Sequence, residues 1–463
     1  MKHVDVLVIG AGPAGLSAAL SAHGFGLSVL VADENPRIGG QIYRGLLDDP
    51  PRQRGRILGA DHAAGEALLQ RFTGSGIVHL PSARVWQIGD DQVAYLSSLV
   101  REPAPEPVGA RFIVLATGAQ ERPLPLPGWT TPGVMSVGGA QILLKTAGLL
   151  PPRDAVLVGS GPLVYQFAWQ ICRAGGRIRA IIDARGPVAP LPLLVRAVRA
   201  MRAPALLGRG AGLLAALRRH GVRRIADAEA VRISGKSRVE GVRYTLRGAE
   251  RALETSSVLL HAGLVPEIGF SSALRCEHFW NREQFSWQPC RTVWQESSRS
   301  GVFIAGDGGS IVGAEAARLS GQIAALEIAR RAGRLSERER DGRAEPLFRQ
   351  WRRKLAPRPF LDALYPPPPA CFSPSDETTV CRCENVTAGE IRRAARLGAS
   401  GPDQIKALTR AGMGNCQGRM CACAVAALTA QTTERGLPEV AMPRGRFPVK
   451  PVTLEEIANT WQA

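Results

Sequence analysis

Val4-Asp5-Val6-Leu7-Val8-Ile9-Gly10-Ala11-Gly12-Pro13-Ala14-Gly15 is the stretch on which the fold turns. Val4 to Ile9 is a near-continuous apolar run, the pattern of a parallel strand covered on both faces. Gly10-x-Gly12-x-x-Gly15 follows at once, residues 14 to 23 read as a small-residue helix, and Leu27 to Ala32 gives a second buried strand ending at Asp33. This is one βαβ unit. Its glycines permit a tight turn, close backbone approach to a pyrophosphate, and close helix packing. The helix N-terminus, with Pro13 and Ala14 in its first turn, faces the ligand's negative charge, and Asp33, followed by Glu34, is placed for ribose hydroxyls.

The pattern recurs. Ala155 to Val158 leads into Gly159 and Gly161, a helix runs to about Ala174, and Ile178 to Ile182 ends at Asp183. Val164 stands where a third glycine or alanine lets the helix pack close, so NAD(P) is not expected at this second fold. Val302 to Ala305, then Gly306-Asp307-Gly308 and a helix from about Ala314 to Arg331, reads as a strand returning to the first sheet. The fold class is therefore α/β: two nested Rossmann-like dinucleotide-binding folds and a small helical C-terminal domain. The expected division is 1–150 and 267–332 for the first fold, 151–266 for the inserted one, 333–375 for a helical and Pro-rich linker, 376–432 for a cysteine module and 433–463 for a tail. Tyr365-Pro366-Pro367-Pro368-Pro369 reads as a stiff, extended spacer. Thr387 with Glu390 is a capping box opening a helix that Gly398 stops.

With 463 residues the chain exceeds what one core normally holds. The opening residues lack the charged, apolar and small-residue sections of a secretory leader, and no stretch has the length of apolar residues a membrane span needs. A cytoplasmic protein able to visit the inner-membrane surface is expected. Of the formal net charge of +18, half comes from nine arginines between Arg185 and Arg224, a window without an acidic residue. Such a field draws an acidic protein partner, anionic lipid or nucleic acid alike, unless it is simply a solvated face. With no nucleic-acid-binding motif beside it, the acidic partner ranks first and nucleic acid is not expected.

Nine cysteines make an odd count, which suits metal chemistry better than a disulfide framework. Val380-Cys381-Arg382-Cys383 and Asn415-Cys416-Gln417-Gly418-Arg419-Met420-Cys421 set a C-x-C pair against a C-x-x-x-x-C pair with 32 residues between. Four thiolates are what a [2Fe-2S] cluster needs, and Arg382 and Arg419 offset its negative charge. Zinc is the alternative, but its sites favour C-x2-4-C pairs. Cys423 reads as facing the module's core, with an alternate ligand role open. No redox-active C-x-x-C lies near either glycine loop, which disfavours a disulfide-reductase mechanism.

Gly10 to Gly15, Ile38-Gly39-Gly40-Gln41, Ala116-Thr117-Gly118-Ala119 and Gly306-Asp307 together resemble the two-dinucleotide-binding flavoprotein superfamily, which includes thioredoxin reductase and glutathione reductase. The resemblance implies FAD at the first fold, with Gly40, Gln41, Ala116, Thr117, Gly118, Gly306 and Asp307 among its contacts and Asp307 on the ribityl chain. Leu260 to Pro266 matches the superfamily's return from the second fold. The cysteine module resembles the bacterioferritin-associated-ferredoxin-like [2Fe-2S] domain, implying Cys381, Cys383, Cys416 and Cys421 as ligands. Its founding members close with C-x-x-C, so the longer second pair is a departure, similar to the version fused to flavoproteins.

End to end, the chain resembles the flavin and iron-sulfur subunits of heteromeric bacterial amino-acid dehydrogenases, of the D-hydroxyproline dehydrogenase alpha, opine oxidase A and hydrogen cyanide synthase B types. The partners this implies are an amino-acid-oxidase-like flavoprotein subunit, often a small ferredoxin-like subunit, and a membrane-surface or quinone-linked acceptor. No general base can be named. Two other readings stay open: a self-contained NAD(P)H-dependent flavin oxidoreductase, and a non-catalytic iron-sulfur scaffold or iron-handling protein.

Overall fold

The computed structural model describes residues 1–48, 51–100, 105–186, 188, 190–201 and 204–460. Strands β1 (Lys2–Ile9), β2 (Val29–Ala32), β3 (Val78–Leu80), β4 (Ala83–Ile88), β5 (Val93–Ser98) and β6 (Val108–Leu115) form one sheet in the order 3-2-1-6-5-4, and Val302–Ile304 joins it in parallel beside β6. Leu7, Val8, Leu30, Val31, Ile113 and Val114 are all fully buried, as continuous apolar strands require when both faces are covered. Helix α1 (Pro13–Gly24) packs against the long helix Ala314–Arg331. Their small residues have a steric reason: a Cβ at Gly321 would stand 2.1 Å from the Ala14 carbonyl oxygen.

Register decides what gathers at the sheet's carboxyl edge. Ile9 pairs with both Ala32 and Leu115, and Ile304 pairs with Leu115. The residues that follow each strand, Gly10, Asp33, Ala116 and Ala305, therefore leave the sheet side by side, the position at which open α/β sheets bind ligands.

Strand β7 (Ala119–Glu121) leads out of the first fold. The inserted fold follows as β8 (Val134–Ser136), helix α2 (Val137–Ala147), β9 (Val156–Ser160), helix α3 (Pro162–Arg173), β10 (Ala180–Asp183), β11 (Arg223–Ile225) and β12 (Val258–Ala262), a parallel sheet in the order 11-10-9-12-8. An antiparallel meander over residues 229–254 covers it, and β13 (Leu264–Pro266) pairs with β7 on the way back.

The proline stretch, expected as a stiff, extended spacer, does not stand apart from the nucleotide folds. Pro367 lies against Gly186 of the inserted fold, Arg185 Nη1 donates to the Leu364 carbonyl at 3.2 Å, and the Tyr165 and Tyr365 rings pack with centroids 6.1 Å apart. Cys371, buried among the apolar side chains of the inserted fold, anchors the segment, because burying apolar surface outweighs whatever reach a stiff linker would provide. The cysteine module beyond it has its own core, built from Ile391, Ile405, Val425 and Leu428, and its helix Ala388–Arg396 opens with the expected Thr387–Glu390 capping box. The tail then returns to the first fold: Val449 N donates to the Trp86 carbonyl at 2.9 Å and Lys450 pairs with Glu34 at 2.9 Å. The module is held from both ends.

Candidate functional site

Each glycine of the first loop answers to a different constraint. Gly10 has φ +107°, and a Cβ there would meet the Ala116 oxygen at 2.4 Å; at Gly15 a Cβ would fall 1.9 Å from the Gly10 oxygen. Protein packing demands both. At Gly12 a Cβ would meet nothing nearer than the Gly40 Cα at 3.8 Å. The polypeptide has no need of glycine at that position, so the open space at the N-terminus of α1 is what a pyrophosphate approaching the backbone would use.

Around that space the remaining candidates take distinct positions. Pro13 starts α1. Ala14 touches Gly306, whose φ of +72° turns the chain away from the returning strand. Asp33 is buried; it accepts from Ala11 N at 2.5 Å and from Asn35 N at 2.7 Å, which ties the glycine loop to the end of β2. Glu34 points outward to Lys450. Gly40 faces Gly12. Thr117 Oγ1 donates to the Glu267 carbonyl at 3.3 Å, and the Gly118 carbonyl accepts from Glu267 N at 3.0 Å, closing the turn after β6. Asp307 Oδ1 accepts from Val312 N at 2.8 Å and Gly313 N at 3.0 Å, and burial raises its carboxyl above the ordinary range despite those two donors. Asp307 thus ties its own loop to the start of the helix that follows.

Two cations at this edge had no signal in the sequence. Lys145, buried on α2, donates to the Gln41 carbonyl at 2.8 Å and clamps the Gly40-Gln41 turn; burial, then the nearby Arg44 charge, bring its pKa down to about 7. The Arg291 guanidinium lies flat on Gly309 and donates to Gln295, Ile304 and Ser310.

The inserted fold has the same loop with its space filled. Gly161 corresponds to Gly12, but the His261 ring lies 3.1 Å from where its Cβ would be. His261 Nδ1 is 2.5 Å from Glu121 Oε1, and Glu121 Oε2 accepts from Gly138 N at 2.8 Å, so the imidazole is held from behind. Asp183, the counterpart of Asp33, accepts instead from Arg224 at 3.0 Å and Tyr165 at 3.2 Å. Val164 is buried within the helix packing.

The cysteines of the module gather as two pairs. Cys381 and Cys421 are buried and hydrogen-bonded; the contact holds the Cys381 thiol down to about 6 and pushes Cys421 well up. Cys383 and Cys416 form the second pair, nearer solvent, with burial raising Cys416 first and Cys383 adding to it. Gly412 N donates to Cys381 Sγ at 3.5 Å, and Gly414 is crowded by Cys383, where a Cβ would come within 2.1 Å. Among the described residues no three metal-binding side chains converge on one point. Two thiolates for each of two irons is the ligand set that a [2Fe-2S] cluster needs.

Cys423 does not face the module's core. Its sulfur accepts from Arg122 Nη1 at 3.7 Å, across the boundary with the flavin-side fold. The helix Ala422–Thr432 turns about 100° per residue, which carries Cys423 away from Cys421 to the opposite side. Nearby, Gln120 Nε2 donates to the Arg419 carbonyl at 2.8 Å and Trp129 Nε1 to the Thr379 carbonyl at 2.7 Å, with Arg382 stacked on the Trp129 ring. The module therefore docks on residues 120–129, immediately after the Ala116-Thr117-Gly118 turn.

The basic window is partly internal. Arg185 and Arg224 face Asp183, Arg196 pairs with Glu283 and Arg209 with Asp61, whereas Arg218, Arg219 and Arg223 are exposed. Arg202 and the Arg199 side chain lie outside the described residues. No described helix is long and apolar enough to cross a membrane.

Comparison with known proteins agrees with this geometry. Residues 4–333 match the pyridine nucleotide-disulphide oxidoreductase family and residues 379–431 the BFD-like [2Fe-2S] binding domain. The opine oxidase A subunit of Rhizobium meliloti is 42% identical over 461 residues, 98% of this chain and 87% of that one. The HcnB subunit of hydrogen cyanide synthase from Pseudomonas aeruginosa is 31% identical, with 98% of each chain covered. In fold, the chain is similar to L-proline dehydrogenase from P. horikoshii, with a TM-score of 0.70 at 19% identity over 98% of this chain and 79% of that one.

Proposed function

The chain belongs to the pyridine nucleotide-disulphide oxidoreductase family and carries a BFD-like [2Fe-2S] domain, which makes it one subunit of a flavin- and iron-sulfur-dependent oxidoreductase, and we propose that it is the electron-transfer subunit of a heteromeric amine or amino-acid dehydrogenase. The substrate class is of the opine, D-hydroxyproline or glycine type, and the C–N bond is oxidised on an amino-acid-oxidase-like flavoprotein partner. A quinone-linked acceptor at the inner membrane and a small ferredoxin-like subunit complete the assembly. Arg218, Arg219 and Arg223 offer an acidic partner an exposed cationic edge.

FAD supplies acceptance of an electron pair and [2Fe-2S] its export one electron at a time. The protein's part is placement. Gly12 would leave the pyrophosphate its approach, Asp33 would offer its carboxylate to the ribose, Asp307 and the Thr117-Gly118 turn would hold the flavin side, and Lys145 ties down the Gly40-Gln41 turn beside them. Cys381, Cys383, Cys416 and Cys421 hold the cluster.

One observation carries the proposal: the cysteine module docks through Gln120, Arg122 and Trp129 on the segment that begins at the flavin turn, while His261 fills the glycine loop where NAD(P)H would have to enter. Electrons then enter from a protein partner and leave through the module. The test is anaerobic reduction of the isolated chain and of the chain with its partner flavoprotein. Amine should reduce this chain's FAD only in the complex, and NADH or NADPH should not. Rapid bleaching by NADH would select the self-contained reductase, and a chain without flavin or labile sulfide would select the scaffold.

A further inference from the structure

Between β10 and β11 the chain crosses over through two helices, Pro190–Ala200 and Pro204–Arg219. The first packs against the helix Arg358–Leu364 and is fixed to the body by Arg196, which pairs with Glu283 at 2.8 Å. Ala200 is buried and Leu193 and Ala197 are half-buried, so theirs is the face turned to the protein. Leu191, Leu194, Val195 and Val198, with Met201 just past the helix end, are each between 57% and 71% exposed. Residues three and four apart share a helix face, so these side chains form an aliphatic stripe on the side turned to solvent. Single exposed apolar residues are ordinary on a protein surface. Five within eleven positions along one face mark an interaction surface.

The occupant has to suit both the stripe and its charge. No acidic residue occurs between Asp183 and Asp227, whereas nine arginines do, among them Arg196, Arg199 and Arg202 in and beside this helix. A protein with an acidic rim and an anionic lipid surface answer to such a field equally well. The stripe separates them. It is the convex side of a helix, and it carries no Trp or Tyr, the anchors on which protein interfaces concentrate their binding energy. Acyl chains need neither a matching pocket nor an anchor, and the headgroups above them supply the negative charge. An aliphatic face on an arginine-rich helix is the pattern of a helix that lies in the plane of the lipid interface.

We propose that the helix Pro190–Ala200 is the chain's seat on an anionic lipid surface, with Leu191, Leu194, Val195 and Val198 immersed at the boundary between headgroups and acyl chains. The contact lies in the plane of the surface and is reversible, since no described helix is long and apolar enough to cross a membrane. The inserted fold, whose glycine loop His261 occupies, then serves as the docking unit, while the first fold and the cysteine module carry the electrons. This rests on the inner-membrane acceptor proposed above and names the surface that would reach it.

The lipid contact and the electron route fail separately, because vesicle binding needs neither amine nor partner subunit. The experiment is cosedimentation of the purified full chain with vesicles of phosphatidylcholine alone and of phosphatidylcholine with an equal share of phosphatidylglycerol. Wild type should sediment with the anionic vesicles and stay in solution with the neutral ones. The double variant Leu194→Gln, Val198→Gln removes apolar surface while keeping good helix formers, and should bind anionic vesicles about tenfold more weakly at unchanged FAD content and melting temperature. Leu397→Gln, at a position 83% exposed on the cysteine module, should bind as wild type does. Undiminished vesicle binding by the double variant, or none by wild type, overturns the proposal. Absence of vesicle binding together with weaker association of the double variant with the partner flavoprotein overturns it in favour of a protein occupant. If the double variant melts below wild type, Leu191→Gln alone decides: weaker vesicle binding supports the lipid contact, and wild-type binding overturns it.

Discussion

His261 Nδ1 lies 2.5 Å from Glu121 Oε1, and that contact presses the imidazole onto Gly161. The relationship spans the two strands joining the folds, Glu121 lying on β7 and His261 at the end of β12. It occupies the approach that a second dinucleotide would need. Replacing His261 by Ala opens this space but leaves Asp183 engaged by Arg224 and Tyr165. NADH should therefore bind neither wild type nor His261→Ala, as read by titration calorimetry. Adding Arg224→Ala should be needed before any affinity appears, and tight NADH binding to wild type would remove the argument.

Gly12→Val should purify folded but with FAD content reduced at least tenfold, since only the Gly40 Cα lies near the new side chain. Gly15→Ala should do the reverse in kind. Its Cβ collides with the Gly10 backbone, an overpacking cost of about 1–3 kcal/mol. Thermal melting with and without added FAD separates the two, because added FAD cannot restore a glycine that packing requires. Equal FAD content in Gly12→Val and wild type would move the pyrophosphate elsewhere.

Cys381→Ser, Cys383→Ser, Cys416→Ser and Cys421→Ser should each abolish the visible spectrum of the [2Fe-2S] cluster, because an iron is left short of a ligand. Cys423→Ser should keep it. Loss of the spectrum in Cys423→Ser with retention in Cys421→Ser would exchange their roles.

Glu327 is the acid on which the helical segment after the flavin fold depends. Burial opposes its ionisation, but hydrogen bonds from Arg330, Arg340 and Arg331 win and hold it down to about 2 against an ordinary 4.5. A carboxylate depressed in the folded state stabilises the protein above its unfolded pKa, and that contribution is lost as pH falls from about 4.5 towards 2. Glu327→Gln should lower the melting temperature at pH 7 and flatten its decline in that window. A parallel decline in both proteins would remove Glu327 from the acid transition.

Removing Trp129 Nε1 by Trp129→Phe deletes the hydrogen bond to the Thr379 carbonyl, a contribution of about 1 kcal/mol. Limited proteolysis should then cut faster between residues 364 and 378 while FAD absorbance is unchanged. Unaltered cleavage would mean that the module's hold lies in the tail contacts of Val449 and Lys450.

Much of the flavin site is legible in the chain because strand and helix periodicity are local properties. An apolar strand followed by Gly10, Gly12 and Gly15 specifies its own turn, and the returning strand before Asp307 is equally plain, although only register shows that it meets the others at one edge. The capping box at Thr387 is local in the same way. The packing of the proline stretch was not legible because composition suggests a stiff, extended spacer and says nothing of distant partners, whereas Cys371 and Tyr365 bury against the inserted fold. Cys423 misled for a related reason, its neighbour Arg122 being 301 positions away in sequence.

By itself the sequence determined which residues can be glycine turns, buried strands and thiolate pairs, since each depends on neighbours a few positions apart. Tertiary structure alone decided which space stays open and which is filled. Gly12 and Gly161 are equivalent in sequence, yet one faces a gap and the other an imidazole brought from position 261 by a parallel strand pairing. The same packing left Arg122 buried beside the module with no carboxylate among its partners within the described residues, because burial and charge balance are properties of atoms close in space, whatever their separation along the chain.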